Sequence, residues 1–235
     1  MFKIPKELQQ LAKILPNSIY IVGGFVRDSL QKISSTDIDL CSNLTVEDLT
    51  KNLQNTNFEV VPNSLQFGTA KIKCNNLTFE YSTFRKDFYA TNGKHSPKKV
   101  EFVLSLEEDC LRRDFTVNAI YYDIKNNKII DPLNGKTDLE NRLLKAVPPA
   151  DETLSIDGER LLRLAKFKAK MGFIVEDNTL NAAKKYSGNI FQLSKNTIEK
   201  FLKSIAYFTK EQLKEIKIFL EELNCHQIAN YIKED

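Results

Sequence analysis

The stretch that most constrains this chain is Ile21 to Leu40, IVGGFVRDSLQKISSTDIDL. An apolar run meets a Gly-Gly turn, a short helix opens with FVRD, and a second strand carries Asp37 and Asp39. Alternate strand residues point to one face, so the two carboxylates can lean towards one point in space. A glycine turn at a helix start offers backbone N–H groups to a phosphate. Phosphate cradle and paired carboxylates together are the composition of a metal-dependent phosphoryl-transfer site.

Periodicity organises the chain around that stretch. Residues 5–15 read as a helix with Leu8, Leu11, Ala12 and Leu15 on one stripe. SIYIV and DIDLC read as strands, and TVEDLTKNLQN as a helix with Thr45 and Asp48 at capping-box-like spacing. FEVV, TAKIKC and TFEYSTF give three more strands, the last clearly alternating. Residues 86–99, KDFYATNGKHSPKK, lack periodicity and read as a mobile basic loop. SLEEDCLRRDFTVNAIYYDI combines a helix with a following strand, and NNKIIDPLNGKTDLENRLLKAV holds turns and a short helix. From about Asp151 onward every segment has helical spacing and no strand is expected. The chain is therefore α+β: a mixed amino-terminal half, then a helical one.

Composition narrows the chemistry. The net charge of +3 is compatible with an RNA partner without demanding one. Cys41, Cys74, Cys110 and Cys225 are scattered without a CxxC pair, and His95 and His226 lie far apart. That argues against a zinc site and for reduced thiols in a cytoplasmic protein. No apolar run is long enough to span a membrane. The opening MFKIPKELQQLAKIL suits a docking helix better than a signal peptide, since Glu7 interrupts it.

Four ordered segments carry a family resemblance. GGFVRD with DID resembles the nucleotidyltransferase superfamily, and RRDFTVNAIYYD (112–123), DPLNGKTDLENRLLKAV and IDGERLLRLAKFKAKMGF (156–173) resemble its later signatures. Their order and spacing resemble the class II, bacterial-type CCA-adding tRNA nucleotidyltransferases and poly(A) polymerases. The resemblance implies a polymerase β-like catalytic head with a mixed sheet over residues 1–148. An all-helical neck and partial body would follow over 149–235.

The resemblance also assigns roles. An isolated Asp-x-Asp is most often a solvated strand end; after GGFVRD, Asp37 and Asp39 read as metal-binding catalytic carboxylates. A divalent cation relieves the repulsion of two carboxylates on one face, and hard oxygen donors suit Mg²⁺. Two Mg²⁺ ions (Mn²⁺ as substitute) would activate an RNA 3′-hydroxyl and stabilise the leaving pyrophosphate. Glu80 matches the family's third carboxylate, although an edge-strand surface glutamate reads the same way. Gly23 and Gly24 would let the backbone meet the triphosphate, Arg27 would reach the same phosphates, and Asp28 would brace the turn. Arg85 is left open between a phosphate and Glu80. Arg113 is implied to bind nucleotide, with Asp114 and Asn118 shaping a ribose pocket.

Asp157, Arg160, Arg163 and Lys166 are spaced as a slowly drifting ridge on a helix otherwise crowded with leucines. An exposed charged face is the ordinary reading; the resemblance instead implies that this ridge reads the incoming base. Cytosine and adenine both present an amino donor beside an unprotonated ring nitrogen, matching one aspartate and one arginine. Uracil and guanine present the reverse order. Two positions depart from the family pattern: Ile156 stands where an acid is usual, with Glu159 a possible substitute, and Asn196-Thr197 stand where Glu-Arg is usual. The chain also ends at Asp235, short of the carboxy-terminal tRNA-gripping helices, as a fragment or a compact form would.

The expected activity is template-independent addition of C and A, or A alone, from CTP and ATP to a tRNA 3′ end. Poly(A) addition to other RNA ends, and a catalytically idle RNA-binding module, are the alternatives. The presence of residues 86–99 argues against a CC-only enzyme, because loss of that loop accompanies CC-only relatives.

Overall fold

A computed structural model describes residues 2–89 and 97–233. The chain divides into two compact units, Met1–Asp87 with Val100–Lys136, and Phe88–Lys99 with Thr137–Asp235.

The first unit begins with α1 (Lys6–Ile14), β1 (Tyr20–Val22), α2 (Gly24–Leu30), β2 (Asp39–Ser42) and α3 (Val46–Leu53). Three strands follow, β3 (Glu59–Ser64), β4 (Thr69–Cys74) and β5 (Leu77–Thr83). A separate two-stranded ribbon pairs β6 (Arg85–Phe88) with β7 (Lys99–Phe102). Then come α4 (Leu106–Cys110), a 3₁₀ turn at Thr116–Asn118, β8 (Tyr121–Asp123) and β9 (Lys128–Ile130), and α5 (Gly135–Glu140) begins at the end of this unit and runs into the second.

Seven strands form one mixed sheet in the order β3-β4-β5-β2-β1-β8-β9. The β2–β5 pair is parallel and the other neighbours are antiparallel. Alternation divides the sheet into two faces. On one, Ile21, Leu40, Phe79, Tyr81, Ile72 and Tyr122 join Leu8 and Leu11 of α1, Phe25 and Val26 of α2, and Leu49 of α3 in a single core. Each fully buried Leu or Ile there contributes ~1.5–3 kcal/mol relative to exposure. The opposite face carries Val22, Asp39, Cys41, Glu80 and Tyr121, because these residues alternate with the core positions or pair with those that do.

Thr45 caps α3 by accepting from the Asp48 N–H at 3.1 Å. Asp48 completes only half of the expected box: its carboxylate accepts from the Thr45 hydroxyl at 2.8 Å. The segment expected as a basic loop starts in β6 and ends in β7; residues 90–96 lie outside the described residues.

The second unit contains β10 (Leu143–Leu144), α6 (Ala150–Ser155), α7 (Glu159–Met171), β11 (Ile174–Val175) and α8 (Asp177–Tyr186). A 3₁₀ turn at Ser187–Gln192, α9 (Lys195–Ile205), α10 (Lys210–Glu222) and α11 (His226–Ala229) complete it. The expectation of helices alone after Asp151 is corrected by β11, which pairs in parallel with β10. Two residues are too short for a periodic signal, and the pairing also groups 137–148 with this unit. Gly172 ends α7 in the left-handed region at φ +62°, its N–H donating to Lys168 O at 2.9 Å, and the chain turns directly into β11. Leu161, Leu164 and Ala165 of α7 and Ile216 and Leu220 of α10 are wholly buried in this unit.

Candidate active site

Asp39 opens β2 in register with Val22 of β1 and Glu80 of β5, so Asp39 and Glu80 are neighbours on one face. Gly23, at φ +78° and ψ −135°, ends β1 and caps α2. A Cβ there would lie 3.7 Å from Asp39 Oδ2, so the Gly-Gly turn and this carboxylate are adjacent. Positive φ is the conformation that only glycine takes without strain.

Asp37 does not share β2 with Asp39, as expected from DIDLC; it lies in the irregular lead-in. The turn at Gly23 removes the β1 partner beyond Val22, and pairing of β2 with both β1 and β5 begins at Asp39. Alternation nonetheless continues: Asp37 and Asp39 are exposed while Ile38 and Leu40 are buried. Both carboxylates therefore stand on the outer side of the segment.

Glu80 is half exposed and forms an ion pair of 3.1 Å with Lys71, its register partner on β4. A pair this open contributes ~0–1 kcal/mol. Among the described residues no three His, Cys, Asp or Glu side chains gather as a metal cage. Two carboxylates alone match the protein share of a Mg²⁺ shell that substrate phosphates complete.

Beneath the turn lies a buried brace. Arg27, only 3% exposed, donates Nε and Nη2 to Asp28 Oδ1 at 2.8 and 2.6 Å and Nη1 to Asn118 Oδ1 at 2.5 Å. Asn118 Nδ2 in turn donates to Asp114 Oδ1 at 3.1 Å, which also accepts the Phe115 N–H at 2.8 Å. The first and second sequence signatures are thus one hydrogen-bonded unit. Arg27, expected to face phosphate, sits inside it, and Asp28 holds it as a brace should.

A second cluster covers the β8 end of the same face. Asp109 is fully buried and accepts from Arg112 Nε at 2.7 Å, Arg113 Nη2 at 3.1 Å, the Tyr121 hydroxyl at 2.8 Å and the Arg85 N–H at 3.2 Å. Arg113 also donates Nε to the Tyr121 hydroxyl at 2.8 Å, with its guanidinium 5.0 Å from that ring. Burial opposes ionisation of Asp109, but the guanidinium groups of Arg112 and Arg113 and the donated hydrogen bonds outweigh it. Its carboxyl is held well below the usual range. Arg85, left open from sequence, donates Nε to Asp87 at 2.7 Å and Nη1 to Phe67 O, not to Glu80.

In the helical unit the ridge is less regular than a helix would make it. Asp157 lies ahead of α7, buried, its Oδ1 accepting the Glu159 N–H at 2.8 Å. Arg160 is 5% exposed, donates Nη1 to Thr153 O at 3.1 Å, and lies 5.8 Å over the Tyr89 ring. Arg163 stacks on Phe167 at 5.1 Å, and it and Lys166 are half-buried. Gly158, the N-cap of α7, lies between Asp157 and the helix, and a Cβ there would meet Asn189 O at 2.4 Å.

The model of the poly(A) polymerase head domain matches residues 19–145, more than half of the chain. The chain belongs to the poly(A) polymerase head-domain family. It is 38% identical over 186 residues to the CCA-adding enzyme of Streptococcus gordonii, covering 76% of this chain and 45% of that enzyme. It is 36% identical over 190 residues to the CCA-adding enzyme of Ligilactobacillus salivarius, covering 78% and 46%. The Bacillus stearothermophilus CCA-adding enzyme in complex with CTP superposes with TM-score 0.79 at 26% identity, covering 95% of this chain and 53% of that one. A tRNA nucleotidyltransferase complexed with a primer tRNA and an incoming ATP analogue gives TM-score 0.76 at 26% identity, covering 94% and 62%. The chain thus spans about half the length of the curated relatives it matches.

Two residues of the cluster at the β8 end, Asp109 and Tyr121, are given no role by the sequence. Asp109 is three and four positions before Arg112 and Arg113, a helical ion-pair spacing that could have pointed to it. Tyr121 had no such signal, because only the fold brings β8 back to α4. The four cysteines are all buried as free thiols. No helix among the described residues is long and apolar enough to cross a membrane.

Proposed function

We propose that this chain is a template-independent RNA nucleotidyltransferase that adds C and A to a tRNA 3′ end, with CTP and ATP as donors and pyrophosphate released. The observation that carries the reading is the adjacency of the Gly23 turn and the Asp39 carboxylate, with Asp37 exposed on the same side. Phosphate-binding backbone and metal-binding oxygen then meet at one point. The relatives, named as CCA-adding enzymes, favour tRNA as acceptor.

Asp37 and Asp39 fit Mg²⁺ as hard, exposed oxygen donors, and the bound ion would supply Lewis-acid activation of the 3′-hydroxyl and charge relief on the departing pyrophosphate. Gly23 and Gly24 admit the triphosphate to the backbone N–H groups without a Cβ in the way. Glu80 stands beside Asp39 on β5 and adds a third carboxylate near the metal-binding pair. Arg113 contributes positive charge for the nucleotide, and the Arg27–Asn118–Asp114 chain fixes the turn and the ribose side of the site. Asp157 and Arg160, one acceptor and one donor, select cytosine and adenine over uracil and guanine. Arg163 and Lys166 add positive charge on the same helix.

Poly(A) addition is the second reading, favoured by the family model that matches the head. Incubating the chain with tRNAs ending at the discriminator base, at C and at CC, each with one labelled nucleotide, separates the two. CTP incorporation into the first two and ATP into the third is expected. A-only extension of every end favours poly(A) addition, and no incorporation with Mg²⁺ or Mn²⁺ favours an idle RNA-binding module.

A further inference from the structure

Arg113 carries three nitrogens, and two of them are bound inside the head. Nε donates to the Tyr121 hydroxyl and Nη2 to Asp109 Oδ2, while the guanidinium stacks over the Tyr121 ring. Nη1 makes no hydrogen bond to any described residue. No buried side-chain nitrogen or oxygen among the described residues lacks a partner, so Nη1 must reach the surface. The Arg113 side chain is 14% exposed while Asp109 is 0%, which fits one protruding nitrogen on an otherwise enclosed group.

The direction of that surface follows from the sheet. Tyr121 pairs with Val22, which pairs with Asp39, so Tyr121 and Asp39 face the same way two strands apart. Strand spacing puts their backbones about 10 Å apart. Cys41, which shares the face, feels the charge of Arg113 more strongly than any other charged group. Arg113 therefore stands over the face that carries Asp39.

We propose that Tyr121 and Asp109 are positioning residues that hold Arg113 with Nη1 presented to the phosphate chain of a nucleoside triphosphate. This rests on the reading that Arg113 meets nucleotide, and deepens it by naming the atom and what orients it. A loose arginine must be ordered when ligand arrives; one already fixed at Nε, Nη2 and its ring face meets a phosphate with that cost removed. Asp109 alone would leave the guanidinium able to swing about a single contact. The Tyr121 hydroxyl bridges both partners, donating to Asp109 and accepting from Arg113. It therefore closes a three-membered clamp.

The test is a double-mutant cycle on the intact chain, reading the Kd for CTP and ATP with Tyr121→Phe, Arg113→Ala and the pair. Arg113→Lys in parallel keeps a charge beside Asp109 should the alanine variant fold poorly. Tyr121→Phe keeps the buried ring, and is expected to weaken binding about 3- to 10-fold. In the Arg113→Ala background the same change should have no further effect, because Tyr121 acts through Arg113. A merely structural tyrosine would give additive losses or an unchanged Kd, and either result overturns the proposal. If Arg113→Ala and Arg113→Lys both bind as the unaltered chain does, nucleotide contact by Arg113 fails and the positioning role fails with it. If the unaltered chain binds neither nucleotide, the proposed function itself has failed. A separate readout needs no ligand: the Arg113 Nε–H should exchange slowly with solvent and become fast in Tyr121→Phe. Unchanged exchange means that the clamp does not exist.

Discussion

Arg27 donates Nη1 to Asn118 Oδ1 at 2.5 Å across 91 positions of the chain, joining the glycine turn to the turn before β8. Both residues are buried, so loss of this acceptor removes a charge-assisted bond where water enters poorly. Asn118→Ala should destabilise the chain by ~1–3 kcal/mol. Urea unfolding measures it, and Asn118→Asp should not recover the loss, because a carboxylate would then face Asp114 Oδ1 where the Nδ2 donor stood.

Asp39 predicts the opposite combination. It is exposed, so Asp39→Asn should change stability by no more than ~0.5 kcal/mol. Nucleotide incorporation should fall below detection while CTP still binds. Retained incorporation would remove Asp39 from the chemistry, whatever the melting temperature.

Asp109 gives a pH signature. Its folded-state pKa is depressed by the two guanidinium groups, which overcome the opposing effect of burial. A depressed carboxylate adds stability that is complete above the unfolded-state value of ~4 and is lost as pH falls towards the folded-state value. Asp109→Asn should therefore cost ~3–5 kcal/mol near neutral pH. The gap between the two proteins should hold constant above about pH 5 and narrow below it. A gap independent of pH down to acid unfolding would show that the charge of Asp109 contributes nothing.

Much of this was legible in the sequence where the signal was local. Thr45 caps α3, Leu8 and Leu11 line one stripe of α1, and the alternation of LTFEYST is the burial pattern of β5. The placement of Asp39 beside glycine was legible too, because strand, turn, helix and strand follow within twenty residues. What was not legible depends on distant pairing. The strand starts not at Asp37 but at Asp39, where pairing with both β1 and β5 begins. Arg27 meets Asn118 and not solvent because β8 packs against β1, and β11 exists only because Leu143 and Leu144 lie alongside it. Asp157 also reads as helical by spacing, yet α7 starts at Glu159, after Gly158, whose backbone packs closely on Asn189.

Gly158 makes that last point testable by stability alone. A methyl group would be placed 2.4 Å from the carbonyl oxygen of Asn189, against backbone that cannot rotate away. Overpacking of this kind costs ~1–3 kcal/mol or more. Gly158→Ala should lower the melting temperature, while Gly188→Ala, with nothing within 4 Å of its Cβ, should leave it nearly unchanged.

Arg160 decides whether this helical unit reads bases. Its guanidinium is nearly enclosed, with Nη1 on Thr153 O and its plane over Tyr89. Such a group can discriminate only if a wrong base leaves a buried donor facing another donor, a mismatch worth ~1–3 kcal/mol. That corresponds to about 5- to 150-fold in the ratio of correct to incorrect incorporation. Arg160→Ala should therefore raise UTP and GTP use relative to CTP and ATP by that factor, measured in competition on one tRNA primer. Some stability will be lost as well, because the Thr153 and Tyr89 contacts go with the side chain. That loss lowers all four rates together and leaves their ratio alone, so the ratio isolates base selection. An unchanged ratio in a folded variant would mean that Arg160 is a structural arginine, and that Asp157 and Arg160 do not choose the nucleotide.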